Sequence, residues 1–277
     1  MAHPQIAAFA RLANGDAKAT RQIGGQNSMM TRTIHDFAYN PVRDEIVVPQ
    51  YFAQAVMTYR GGANGEEAPT RIIRGPDTQI TNPQRLALDP VHNEVFVPLD
   101  NEILVFPSLE EGNVAPIRVL KGPDTLLGAD AITIDPVHNL LIVSGPQPKG
   151  KVEAGSKGEA RGQILIFDRT ASGNTKPLSV IAGPKTKITR PWLMTNYAPR
   201  ELIVLTVTSV ERNSPTDFVG VWSEHDSGDV APRWTIGGPN QLLRQVRGIA
   251  LNPKSKEVIV SDKYVNAVMT YNFPEIF

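Results

Sequence analysis

Short apolar runs, each closed by Gly, Pro, Asn or Asp, punctuate the whole chain, and no stretch keeps its apolar residues at a helical period. The runs recur in a fixed order. A first set reads "HDFAYNP" (35–41), "QRLALDP" (84–90), "DAITIDP" (130–136), "WLMTNYA" (192–198) and "RGIALNP" (247–253). A second follows as "EIVVP" (45–49), "EVFVP" (94–98), "LLIVS" (140–144), "ELIVL" (201–205) and "EVIVS" (257–261). A third is "AVMTY" (55–59), "EILVF" (102–106), "QILIF" (163–167), "FVGVW" (218–222) and "AVMTY" (267–271). A fourth carries a glycine-centred echo: "ATRQIGGQNSM" (19–29), "APTRIIRGPDT" (68–78), "APIRVLKGPDT" (115–125), "PLSVIAGPKTK" (177–187) and "APRWTIGGPNQ" (231–241). These sets are lettered a to d below.

Four short β-type runs in a module of roughly 50 residues predict a propeller blade, since β-helix repeats are much shorter. The echo is then architectural. Each outer strand must reverse towards the axis, with proline fixing φ and glycine permitting the sharp turn. The expectation is an all-β, five-bladed β-propeller of four-stranded antiparallel blades in one domain, 1–277. Its units span 31–80, 81–127, 128–188, 189–243 and 244–277, the last completed by 1–30. The N-terminal d strand (19–25) would close the ring against "NAVMTYNF" (266–273), removing exposed sheet edges. One c-like run, "QIAAFAR" (5–11), is surplus to that count. It would serve as a fifth outer strand, pair with a neighbouring molecule, or mark a six-bladed alternative lacking an N-terminal a–b pair.

Residues 112–143, "GNVAPIRVLKGPDTLLGADAITIDPVHNLLIV", resemble bacterial NHL-type β-propeller repeats of the pattern GNxxPxRxIxGPxTxLxxPxxIAxDPxxNxIxV. The resemblance covers essentially the whole chain and rests on turn and core positions. It implies relatives that are commonly six-bladed, against the count of five, kinship with lactonase-like propellers, and frequent export. The chain itself shows no export signal: the apolar run Ile6 to Ala10 is interrupted by Arg11.

Charge narrows the partner classes. Twenty-eight Lys and Arg balance 28 Asp and Glu, giving a formal net charge of zero, which speaks against nucleic acid or an anionic membrane as the main partner. No apolar run is long enough to span a bilayer, and the absence of cysteine removes disulfides and thiolate metal sites.

In an antiparallel meander the d–a and b–c loops open at one end of each blade. Both long insertions, 145–162 and 206–217, fall in b–c loops, and loops lengthened on a rigid scaffold commonly carry binding. At the start of the a runs the equivalent positions are His35, Gln84, Asp130, Trp192 and Arg247, with Asp36 and Arg85 following the first two. They differ from blade to blade, whereas Ala38, Ala87, Thr133, Thr195 and Ala250 further along are small and nearly uniform. Tyr51, Phe52, Lys263 and Tyr264 sit in b–c turns at the same end and offer aromatic anchors. Packing against a neighbouring blade is the competing role for these residues.

The repeated "DPVHN" places His92 and His138 in a–b turns, where a structural role is expected and no convergent ligand set for zinc is visible. Lys149, Lys151, Lys157 and Arg161 are diluted by Glu153 and Glu159, as in a solvated loop. No nucleophile elbow, phosphate loop, zinc-binding helix or dinucleotide fingerprint occurs. The resemblance would allow a calcium-assisted lactone hydrolase or lyase, with Asp36, Asp130, Asp100 and Asp262 as acids. Arg85 and Arg247 beside them would repel a cation, and calcium needs six to eight oxygens. The expectation is therefore a non-enzymatic scaffold without cofactor, catalytic residue or metal, binding a protein, peptide or glycan. Self-association through an edge strand is the third reading.

Overall fold

A computed structural model of the chain describes residues 4–148, 161–209, 213–238 and 240–277; Lys149, Lys151, Glu153, Lys157 and Glu159 lie outside them. The fold is all-β, a five-bladed β-propeller of antiparallel meanders with short 3-10 turns and, among the described residues, no α-helix. Two strands, β1 (Gln5–Ala8) and β2 (Arg21–Gly24), precede the meanders. The first meander is β3 (Ala38–Asn40), β4 (Glu45–Gln50), β5 (Ala55–Arg60) and β6 (Arg71–Ile73), and the second β7 (Ala87–Asp89), β8 (Glu94–Leu99), β9 (Glu102–Pro107) and β10 (Arg118–Lys121). The third is β11 (Ala131–Asp135), β12 (Leu140–Pro146), β13 (Gly162–Asp168) and β14 (Ser179–Ala182). The fourth is β15 (Pro191–Tyr197), β16 (Leu202–Val207), β17 (Phe218–Ser223) and β18 (Trp234–Gly237), and the fifth β19 (Val246–Asn252), β20 (Glu257–Asp262) and β21 (Ala267–Asn272).

The chain divides into two compact units, Met1–Leu99 with Leu104–Ile117, and Asp100–Ile103 with Arg118–Phe277. In the first, Ile46, Val48, Ala55, Met57 and Tyr59 form the buried centre. In the second, Ile142, Ile164, Ile203, Leu205 and Trp222 form one buried cluster, and Val204, Val219, Val258 and Val260 another. Central strands are apolar on both faces, as expected of sheets stacked between neighbours.

The a–b hairpins confirm the repeat register. Ala38 pairs Val47, Ala87 pairs Phe96, Thr133 pairs Ile142, Thr195 pairs Val204 and Ala250 pairs Ile259. In every hairpin one residue takes a left-handed conformation: Asp44, Asn93, Asn139, Glu201 and Lys256. In the first three, Asn40, Asp89 and Asp135 hold the turn by accepting two backbone N–H groups each.

The echo of the d runs has a second cause besides the turn. After Gly75, Gly122 and Gly183, the segments Pro76–Thr78, Pro123–Thr125 and Pro184–Thr186 form a 3-10 turn whose buried threonine donates to the glycine carbonyl. The "GN" of the following module then locks onto it. Asp77 N–H donates to Asn113 Oδ1 at 2.8 Å while Asn113 Nδ2 donates to Asp77 Oδ2 at 2.7 Å. Asp124 and Asn174 repeat the exchange, and Asp229 accepts from Lys185 N–H where both partners have changed. Two halves of the repeat are thus one interlock between successive modules.

The N-terminal strand corrects an expectation. β2 does not complete the fifth meander: it pairs with β1, in the register Gln5↔Gly24 to Ala8↔Arg21. Ile23 bridges Gly65 as Ile73 bridges Gly112, Leu120 bridges Gly173 and Ile181 bridges Gly228. So β1 and β2 are the c and d strands of a module ahead of the first complete blade. The surplus run is simply β2's own partner, reached through a short connection with little loop entropy to overcome. β21 keeps β20 as its hydrogen-bonded neighbour, and Ala267 and Val268 are exposed where the equivalent residues of β13 and β17 are buried.

Candidate functional site

In the first unit the variable positions engage one another across neighbouring a strands. His35 Nδ1 lies 2.9 Å from Gln84 Oε1. Asp36 accepts the N–H groups of Phe37 at 2.9 Å and Leu86 at 3.4 Å, and Arg85 is buried near it. Burial of the carboxyl raises Asp36 to about 7, against the lowering pull of the Leu86 N–H, Arg85 and the Phe37 N–H. A raised folded value means that the native state holds a proton the unfolded chain releases. Between about pH 4 and 7 this residue therefore lowers stability as pH rises. Asp36→Asn is expected to flatten that slope in urea unfolding midpoints measured across pH 4.5 to 8, and an unchanged slope would contradict it.

Tyr51 and Phe52 meet edge to face at 5.0 Å between ring centroids, and the Arg32 guanidinium stands 4.9 Å from the Phe52 ring. Phe52 is half exposed and forms, with Gln54, Arg74, Pro76, Gln79 and Ile80, the wall of an open cleft of about 440 Å³.

In the second unit two bulges set the corresponding positions. Pairing shifts register between Pro191 and Met194 in β15 and between Val246 and Ile249 in β19. Side-chain hydroxyls replace the missing ladder. Leu193 N–H donates to Thr206 Oγ1 at 2.9 Å, that hydroxyl lies 3.1 Å from the Arg247 carbonyl, and Gly248 N–H donates to Ser261 Oγ at 2.7 Å. The bulges aim Trp192 and Arg247 at each other: the guanidinium carbon is 3.6 Å from the indole centroid, with that of Arg190 at 4.9 Å. Asp130 is half-buried ahead of β11, its N–H bonded to the Ser144 carbonyl at 2.8 Å. Tyr264 is exposed in the β20–β21 turn.

The acids of this end staple loops. Asp262 accepts the N–H groups of Arg244, Gln245, Tyr264 and Val265. Asp217, which sequence reasoning passed over, accepts from Ser209 N–H, the Thr208 hydroxyl and Val246 N–H. Both carboxylates are committed to amides that hold the turns.

At the a–b end, the two histidine turns are alike until a third residue distinguishes them. His92 Nδ1 lies 2.8 Å from Asp89 Oδ2, and His138 Nδ1 lies 2.9 Å from Asp135 Oδ2. Beside the second pair stands Glu224, from the loop after β17, with Oε2 4.0 Å from His138 Nδ1. One ligand atom from each of Asp135, His138 and Glu224 lies within 4.8 Å of the others. Glu224 is 5% exposed, and neither of its carboxylate oxygens accepts a hydrogen bond from an N–H or hydroxyl group. Burial, then the charge of Asp135, pushes its carboxyl up to about 8. Burial also acts on Asp135, but hydrogen bonds from His138 and Val137 outweigh it and hold its carboxyl below the usual value. The hydrogen bond to Asp135 raises His138 in turn, and Glu201, ion-paired with His225, adds negative charge in the same direction. Sequence reasoning saw the histidine and missed the glutamate, because "SEH" belongs to another module and carries no motif.

No family model matches the chain, and no curated protein matches it. Similar folds are abundant among solved structures, with 868 matching chains, so likeness of fold alone points to no single activity. One of them is titled hydrazine synthase, from Kuenenia stuttgartiensis, with a TM-score of 0.57 at 11% identity over 83% of this chain and 56% of that one. This chain thus spans little more than half the length of that protein. No helix among the described residues is long and apolar enough to cross a membrane. What the comparisons establish is the propeller fold.

Proposed function

We propose that this chain is a non-enzymatic scaffold of NHL-type repeats that binds a protein, peptide or glycan through the blade ends carrying the d–a and b–c loops. The observation behind this reading is the Trp192 indole held 3.6 Å from Arg247 and 4.9 Å from Arg190, at two bulges with no fold-level need for either side chain. Trp and Arg anchors fixed in advance present large contact area with little side-chain entropy left to lose on binding. The exposed Tyr264 of the same unit, and Phe52 with Arg32 in the other, are anchors of the same chemistry. The carboxylates that a calcium-assisted hydrolase would need include Asp262, which is occupied by four amides.

Trp192→Ala combined with Arg247→Ala is expected to weaken binding of a purified partner by about 100-fold or more, two anchors at roughly tenfold each. Thermal stability should stay within ~1–2 kcal/mol of the parent, since both side chains lie outside the buried clusters. Equal affinity of the double variant and the parent, by calorimetric titration, would reject this surface.

A further inference from the structure

The a–b turn of the third blade contains a feature that its sister turns lack. In each meander the residue that follows the c strand donates its N–H to the carbonyl of the left-handed turn residue. These donors are Gly61, Ser108, Arg169, Glu224 and Phe273. The fold therefore accepts glycine, serine, arginine or phenylalanine at this position, and only the fourth blade has an acid. That acid is buried against Asp135, which is itself fully buried, and apart from the Asp135 carboxyl no group hydrogen-bonds to either Glu224 oxygen. Asp135 needs only Oδ1 for its turn, where it accepts from Val137 and His138 N–H, and its Oδ2 is left facing the His138 ring. Two buried carboxylates side by side are unfavourable unless something positive stands between them.

We propose that Asp135, His138 and Glu224 form a binding site for a divalent cation of the zinc type. The donor set of one imidazole nitrogen and two carboxylate oxygens matches that class of ion, and two carboxylates balance its charge. Tetrahedral coordination at about 2.0 Å sets ligand atoms about 3.3 Å apart. The observed 2.9 Å from Asp135 to His138 and 4.0 Å from His138 to Glu224 bracket that spacing. His138 is 36% exposed on its side chain, which gives the ion a way in and leaves a fourth position for water or a partner's group. Glu201 and His225, paired beside the site, supply an outer layer of charge. The Asp89–His92 turn of the second blade has the same hydrogen bonds and serves as an internal control.

The test uses the full chain, stripped by a chelator and titrated with zinc chloride in a calorimeter, with magnesium chloride as the hard-cation comparison. One zinc per chain is expected, with magnesium at least 100-fold weaker. Glu224→Gln and His138→Ala should each weaken zinc uptake tenfold or more, while His92→Ala leaves it unchanged. Glu224→Gln keeps the side chain's shape and removes a buried like charge, so it should fold at least as well as the parent; zinc should raise the melting temperature of the parent and not of this variant. Failure of the parent to take up zinc, or equal uptake by parent and Glu224→Gln, would overturn the site and leave a carboxyl pair sharing a proton.

Discussion

Alanine at Gly122 is expected to cost about 3 kcal/mol, and alanine at Gly173 only about 1 kcal/mol, although both glycines belong to the same repeat. Gly173 sits at φ 60°, in the small left-handed region that any L-residue enters at modest cost, and a Cβ there meets nothing within 4 Å. Gly122 sits at φ 139°, where side chains are rarely tolerated. A Cβ on it would lie 2.3 Å from Asn174 Oδ1 and 2.6 Å from Asn174 Cγ, so the asparagine that holds the Asp124 N–H would have to leave. Backbone strain and a lost interlock then act together. Urea unfolding followed by tryptophan fluorescence reads this directly, because Trp192, Trp222 and Trp234 all belong to the same compact unit as both glycines. Equal losses at the two positions would show that the turn, and not its contact with the following module, sets the glycine requirement.

This interlock explains why the fold was legible in the sequence. Turn and pairing positions repeat because geometry repeats: Ala38, Ala87, Thr133, Thr195 and Ala250 do occupy one register position, and the d runs at Gly75, Gly122 and Gly183 end at the same glycine turn. The N-terminal strands were misread for a physical reason. A d strand needs a c strand beside it, and a pattern of apolar alternation cannot say which of two c runs, β1 or β21, is taken. The nearer one is.

The sites were legible only in part. Trp192 and Arg247 stood out because their position varies from blade to blade beside a uniform one further along the strand, and the structure brings them into contact. His35 and Gln84, singled out by the same logic, are hydrogen-bonded to each other. Glu224 was invisible because its neighbours come from positions 86 and 89 residues earlier, His138 and Asp135, and nothing local signals the meeting. A comparison of the second residue after each c run, Gly61, Ser108, Arg169, Glu224 and Phe273, would have exposed it as the single acid among five equivalents.

Replacing Trp222 by alanine is expected to cost about 4 kcal/mol, the largest loss of any single side chain considered, because the whole indole must be removed from a closed interior. Trp222 is fully buried in the cluster with Ile142, Ile164, Ile203, Leu205 and Phe218, and its Nε1 donates to the Val230 carbonyl at 3.4 Å. The surrounding β-branched side chains belong to hydrogen-bonded strands of the third and fourth blades, so they cannot close over the space without breaking ladders that run through Ile142, Ile164 and Ile203. Gly220, two residues earlier, shows how closely the ring is fitted: a Cβ there would stand 2.5 Å from the indole edge. Collapse is therefore limited and the cavity penalty stays near the upper end of its range. Trp222→Phe should recover more than half of the loss by refilling most of the volume. A Trp222→Ala variant within ~1.5 kcal/mol of the parent, by urea midpoint at unchanged slope, would show that the interior at this boundary between blades is loosely packed and that stability resides elsewhere.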